Sequence, residues 1–144
     1  MNLPDYVSIK EVKRVCGKLK IRDWTLLKTA EILPKEAKAI LAELETAEMK
    51  IALEDFQRGL EVELEHGIRF PEANVTNNHP ILTAKIVLAH FKESLDYYQR
   101  LEVAEIEGDL LKAVVSKNAP KVASLYEKLV KARLELSKAE SKVI

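Results

Sequence analysis

Only four glycines and five prolines punctuate the 144 residues, and nearly all of them stand where a helical pattern begins or ends. Strands joined by tight turns need turn formers every few residues, and this chain does not have them. Ser8-x-x-Glu11 is a capping-box signature, and Ile9, Val12, Val15, Cys16 and Leu19 follow at helical spacing, which predicts a first helix over about 9–20. Asp23 can cap a short second helix carrying Trp24, Leu26, Leu27 and Ala30 that stops before Pro34, and Pro34 suits the first turn of the next.

From 35 to 66 there is no proline, and Ile40, Leu41, Leu44, Ile51, Phe56 and Leu60 recur as apolar positions. A single straight helix there would be roughly 48 Å long. A compact domain of this size is nearer ~35–40 Å across, so a bend or break is expected at Gly59 or at Glu45-Thr46, with Gly67 as the left-handed residue that ends the helix. Residues 68–79, with Pro71, Asn74, Asn77 and Asn78, show no period and form a loop. Pro80 opens a helix through Leu82, Ile86, Ala89, Leu95, Tyr98 and Leu101 that Gly108 can interrupt. Pro120 opens a last helix over about 120–143, with Val122, Leu125, Leu129, Ala132, Leu136, Ala139 and Val143 in an a/d heptad. The expectation is one all-α domain over 1–144, a bundle of four to six helices with one ordered loop around 67–80. Its core would include Val15, Trp24, Leu27, Ile40, Leu44, Ile51, Phe56, Leu60, Ile86, Ala89, Leu101, Leu111, Leu125 and Leu129.

Charge narrows the function classes. Lys plus Arg and Asp plus Glu each number 23, so no global basic excess exists for a polyanion, and nucleic acid is not an expected partner. Residues 1–34 hold seven bases and four acids against four and nine in 35–66, a difference that intramolecular pairing can absorb. No stretch approaches ~18 continuous apolar residues, so no membrane is expected. The lone Cys16 allows no internal disulfide and reads as a small buried hydrophobe, which together with the absence of an apolar leader suits the cytoplasm. The C-terminal heptad helix either covers the acidic helix or pairs with its copy in a homodimer.

One constellation can carry chemistry. Glu63 continues the stripe of Leu53, Phe56 and Leu60, so a carboxylate faces the way the core residues do. His66 stands three residues on, and His90-x-x-Glu93 repeats that spacing on another helix, so each helix presents an imidazole and a carboxylate on one face. Facing helices of carboxylate-bridged metal bundles supply ligands in this fashion, which makes His66, His90, Glu63 and Glu93 a candidate set for a divalent metal such as Zn, Fe or Mn. In a simple antiparallel hairpin, however, Lys85 lies level with Glu63, and His90 lies about 8 Å deeper than the His66 end. A Glu63–Lys85 ion pair is then the more economical reading. In that polar lock Asn74 and Thr76 return hydrogen bonds to the helix end at Glu65, His66 and Gly67, while His90 bonds Glu93, Tyr97 or a backbone group. An organic or anionic ligand is the third alternative. His79, beside Pro80, reads as solvated. There is no Ser-His-Asp arrangement, phosphate-cradling glycine loop or cysteine pair.

Phe56 and Gly59 ahead of Glu63-Leu-Glu-His-Gly67, then Asn74-Val-Thr76, then Lys85-Ile86, Ala89-His90, Glu93, Asp96-Tyr97-Tyr98 and Leu101 resemble a family of small uncharacterised prokaryotic proteins, a domain of unknown function. The resemblance covers about residues 50–102, and Leu60, Asn77-Asn78-His79 and Ala84 depart from its pattern. It implies no activity. Two functions follow for testing: a non-catalytic interaction or structural role held by the polar lock, and, as the alternative, metal binding by the His/Glu set.

Overall fold

The computed structural model describes residues 7–46 and 49–142, and every regular element among them is helical, as the sequence predicts. Six α-helices follow one another: α1 Ile9–Leu19, α2 Pro34–Leu41, α3 Leu53–Arg69, α4 Pro80–Glu93, α5 Tyr97–Val115 and α6 Ala119–Glu140. Single 3-10 turns occur at Trp24–Leu26 and Pro71–Ala73. Contacts divide the chain into two compact units, Met1–Lys92 and Glu93–Ile144.

In the first unit the Ser8 half of the capping signature forms, its hydroxyl accepting from the Glu11 amide at 3.2 Å, while the Glu11 carboxylate accepts from Arg14 (2.6 and 2.7 Å). Lys20, at φ 56°, ends α1 in the left-handed region. Val12, Val15 and Cys16 are buried, and burial pushes the Cys16 thiol pKa up. Instead of a second α-helix, Asp23 caps a single 3-10 turn that sets Trp24 into the core.

The strongest polar device here was not visible as a motif. Glu36, the third residue of α2, is fully buried. Its carboxylate accepts from Leu33 N (3.0 Å), Arg22 N (3.0 Å), Arg22 Nε (2.9 Å) and a terminal Arg22 nitrogen (2.7 Å). Burial alone would raise the Glu36 pKa, and these donors together reverse it to below the ordinary value. A terminal nitrogen of Arg22 also donates to the Glu31 carbonyl (2.7 Å), so one guanidinium fastens the extended segment ahead of α2. That segment is held a second time from α3: Gln57 donates to the Ile32 carbonyl (2.8 Å), and Glu61 accepts from the Ile32 amide (3.1 Å).

The long apolar run breaks between Leu41 and Leu53, around the expected Glu45-Thr46, while Gly59 is buried inside an unbroken α3. Gly67 does not end the helix as expected. α3 continues to Arg69 and stops at Phe70, at φ −125° and ψ 70°, because the following Pro71 excludes helical geometry there. α4 buries Ala84, Val87, Leu88 and Phe91.

In the second unit α5 and α6 pack antiparallel around Ala113, Leu125, Leu129 and Ala132. Lys117, at φ 53°, makes the turn, and Asn118 caps α6 through the Lys121 amide (3.1 Å). Arg133 pairs with Glu107 (2.6 Å) and Arg100 with Glu140 (2.9 Å). Gly108 sits inside α5 without interrupting it. The break falls at 94–96, where the buried Asp96 carboxylate accepts from the Ser94 hydroxyl and from Arg100 (2.7 and 3.0 Å). A mid-helix glycine costs only about 1 kcal/mol, and α5 restarts with Asp96 at its N-cap position, its carboxylate held by the Ser94 and Arg100 side chains and not by the helix-start amides. The heptad seam of α6 is thus occupied by α5, and its last position, Val143, lies outside the described residues.

Of the expected core, Val15, Trp24, Ile40, Phe56, Leu60, Leu125 and Leu129 are buried; Leu27, Leu44, Ile51, Ile86 and Leu101 are half-buried; Ala89 and Leu111 are exposed. No described helix is long and apolar enough to cross a membrane.

Candidate functional site

α3 carries Phe56, Leu60 and Leu64 into the core of the first unit, and Glu63 follows along the edge of that stripe. Its side chain is 12% exposed, against 26% for His90 and 55% for His66. The Glu63 carboxylate stands between two imidazoles: His66 Nδ1 lies 3.7 Å from one oxygen and His90 Nε2, on α4, lies 3.4 Å from the other. Each contact is an ion pair when its imidazole is protonated and a polar contact otherwise. The stagger that brings His90 level with Glu63 is therefore present, contrary to the simple hairpin register.

Lys85 precedes His90 by five positions, roughly 140° around the helix. With His90 turned to α3, Lys85 is exposed and lines an apolar groove of about 630 Å³ with Val75, Thr76, Leu82, Ile86 and Ala89. The carboxylate of Glu63 takes histidines where the sequence suggested the lysine.

The loop works as expected at Asn74 and differently at Thr76. Asn74 Nδ2 donates to the Gly67 carbonyl (3.1 Å) and to Asn78 Oδ1 (2.8 Å), so it does serve the end of α3. Thr76 instead donates to Asn74 Oδ1 (3.2 Å) and accepts from the Asn78 amide (3.2 Å), bracing the asparagines. Asn77 and Asn78 are both left-handed, a conformation asparagine tolerates. Asn77 Nδ2 donates to the Val7 carbonyl and ties the loop to the start of the described chain. Glu65 is exposed beside Arg69 (3.8 Å), Glu93 is exposed at the end of α4, and Tyr97 meets Tyr98 edge-on with ring centres 5.2 Å apart. Among the described residues no group of three or more His, Cys, Asp or Glu side chains is arranged to hold a metal ion.

His79 is not solvated. It is buried, and its Nδ1 accepts from the Ile81 and Leu82 amides (3.2 and 3.3 Å), which makes it the N-terminal cap of α4. The cue was its place directly ahead of Pro80, where a cap belongs; the residue type, uncommon as a cap, hid it. Burial pushes the His79 pKa below the ordinary 6.5, with Glu11 opposing and Arg14 assisting. A depressed folded value means that the stability this cap contributes is complete above about pH 6.5 and is lost as pH falls through the folded value. His79→Ala is expected to cost about 0.5–2 kcal/mol at pH 7.5, while His79→Asn keeps an acceptor and loses the pH dependence. Thermal melts at several pH values check this, and equal melts for the two variants would refute the cap.

A family model described as a protein of unknown function (DUF5661) matches residues 12–107, from within α1 to within α5. No curated protein and no solved structure matches the chain.

Proposed function

From the premise that the chain belongs to the DUF5661 family of proteins of unknown function, which carries no activity with it, we propose that it is a non-catalytic helical module whose α3 and α4 are held by the Glu63-centred polar lock. The observation that supports this is the position of Glu63, a largely buried carboxylate flanked by imidazoles from its own helix and from the facing one. A buried carboxylate needs such partners, and two neighbours on separate helices fix the register of those helices. Each imidazole addresses a different oxygen, an arrangement suited to clamping a carboxylate. The setting that fits the buried, lone Cys16 is a reducing cytoplasm.

Glu63→Gln keeps the shape and removes the charge, and it is expected to lower stability by about 1 kcal/mol near pH 6, equally with and without chelator. An unchanged melt would overturn the lock. The metal alternative, with Glu63, His66, His90 and Glu93 as ligands, has a different signature: metal retained at one equivalent by untagged protein, lost on His90→Ala, and a melt that chelator lowers. The two readings therefore separate in one pair of experiments.

A further inference from the structure

α4 turns Ala84, Val87 and Leu88 into the core of the first unit and leaves Leu82, Ile86 and Ala89, spaced by four and three, along another side. With Val75 from the preceding loop, itself 65% exposed, these residues form the apolar groove of about 630 Å³. Lys85 is the one charged side chain in the lining, and its ammonium makes no ion pair among the described residues. Such a groove suits an occupant that is mostly apolar and carries one acid. The described chain begins beside it. The Val7 carbonyl accepts from Asn77 Nδ2, and Asn77 adjoins Thr76 and stands two residues from Val75, both of them in the lining. Six residues precede Val7: Met1, Asn2, Leu3, Pro4, Asp5 and Tyr6.

We propose that residues 1–6 of the same chain occupy the α4 groove, with Leu3 and Tyr6 against its apolar lining and the Asp5 carboxylate on the Lys85 ammonium. Charge selects this occupant. Asp5 is the only acidic side chain in the segment and no basic side chain accompanies it, so it matches the single cation of the groove. Reach permits it. Six extended residues span about 20 Å, and the groove from Leu82 to Ala89 runs about 10 Å along α4. Tethering favours it over any free partner. With Val7 held at Asn77, the segment is present at the groove at a local concentration on the order of millimolar, so an interaction too weak to hold a separate peptide keeps the groove covered. This inference uses the groove side of α4 and is independent of the Glu63 lock.

Disulfide trapping in the full chain tests it, because the native Cys16 is buried and does not compete. Leu3→Cys with Ile86→Cys is expected to close a crosslink within one chain at least tenfold faster than Leu3→Cys with Leu26→Cys, a pairing with an exposed position outside the groove. Adding Lys85→Glu should slow the first crosslink at least fivefold, and adding Asp5→Lys to that variant should restore the rate, with the far-ultraviolet circular dichroism unchanged throughout. A rate no higher than that of the Leu26 pairing overturns the proposal, as does a rate that the exchange of charges leaves unmoved. So does a crosslink that joins two chains at low micromolar protein, which would assign the groove to a second copy.

Discussion

Replacing Glu36 with alanine is expected to cost about 3–5 kcal/mol, a large part of the total stability of a domain this size. The carboxylate is fully buried and accepts four hydrogen bonds, three of them from Arg22, so its removal strands a guanidinium and the Leu33 amide at once. Arg22→Ala should be of similar size for the opposite reason, since it leaves the buried charge with little but backbone to face. Glu36→Gln, which keeps the volume and some of the bonds, should fall between these variants and the parent. Urea melts followed by the fluorescence of the buried Trp24 measure all three. The acid limb offers a second reading. The folded pKa of Glu36 lies below the ordinary 4.5, so its contribution is present above that value and lost as pH falls through the folded one. Asp96, held down by Arg100 and Ser94 against burial, acts in the same direction in the second unit. Glu36→Gln should flatten the acid limb, and a loss under about 1 kcal/mol for Glu36→Ala would mean that the pair does not organise the segment ahead of α2.

The elements that were legible in the sequence are those whose signals are local. Ser8 and Glu11 specify a helix start through bonds between neighbours, and Pro34, Pro80 and Pro120 open helices because a missing N–H costs nothing in the first turn. The break after Leu41 followed from length alone. Signals failed where the deciding partner is distant in sequence. Arg22 and Glu36 are 14 positions apart and look like any surface pair until the fold brings them together. α4 departs from the expected face because it is apolar on nearly every side, so periodicity cannot say which face turns inward. Ile86 and Ala89 fitted a stripe as well as Ala84, Val87 and Leu88, which are the ones buried.

The candidate site shows the same division. The i, i+3 spacing of Glu63 and His66 is sufficient to place both on one face, and His90 on α4 lies 3.4 Å from the same carboxylate. Which α4 residue meets the carboxylate depended on a 140° choice of rotation that the apolar pattern left open. Had Lys85 turned inward, His90 would have faced away.

Gly67 offers the sharpest test of how the loop and α3 fit together. Helix propensity alone makes glycine to alanine inside a helix a gain of up to about 1 kcal/mol. At Gly17 and Gly108, where an added Cβ meets nothing within 4 Å, that gain is expected in full. At Gly67 a Cβ would stand 2.3 Å from Asn78 Oδ1 and 2.9 Å from Asn74 Nδ2, the two atoms whose bond braces the loop against the helix end that Asn74 Nδ2 also bonds. The asparagines can move aside only by giving up that bond and the one from Asn74 to the Gly67 carbonyl, each worth about 1 kcal/mol, on top of about 1–3 kcal/mol of overpacking. The net expectation for Gly67→Ala is a loss of about 2–4 kcal/mol, opposite in sign to the other two positions. Asn78→Gly supplies the internal control, because glycine accepts the φ of 60° there and removes the clashing oxygen. In a double-mutant cycle Asn78→Gly should recover much of what Gly67→Ala loses, a coupling above about 1 kcal/mol. Additive effects, or a Gly67→Ala chain as stable as the Gly108→Ala one, would show that the asparagine pair does not press on the helix at all.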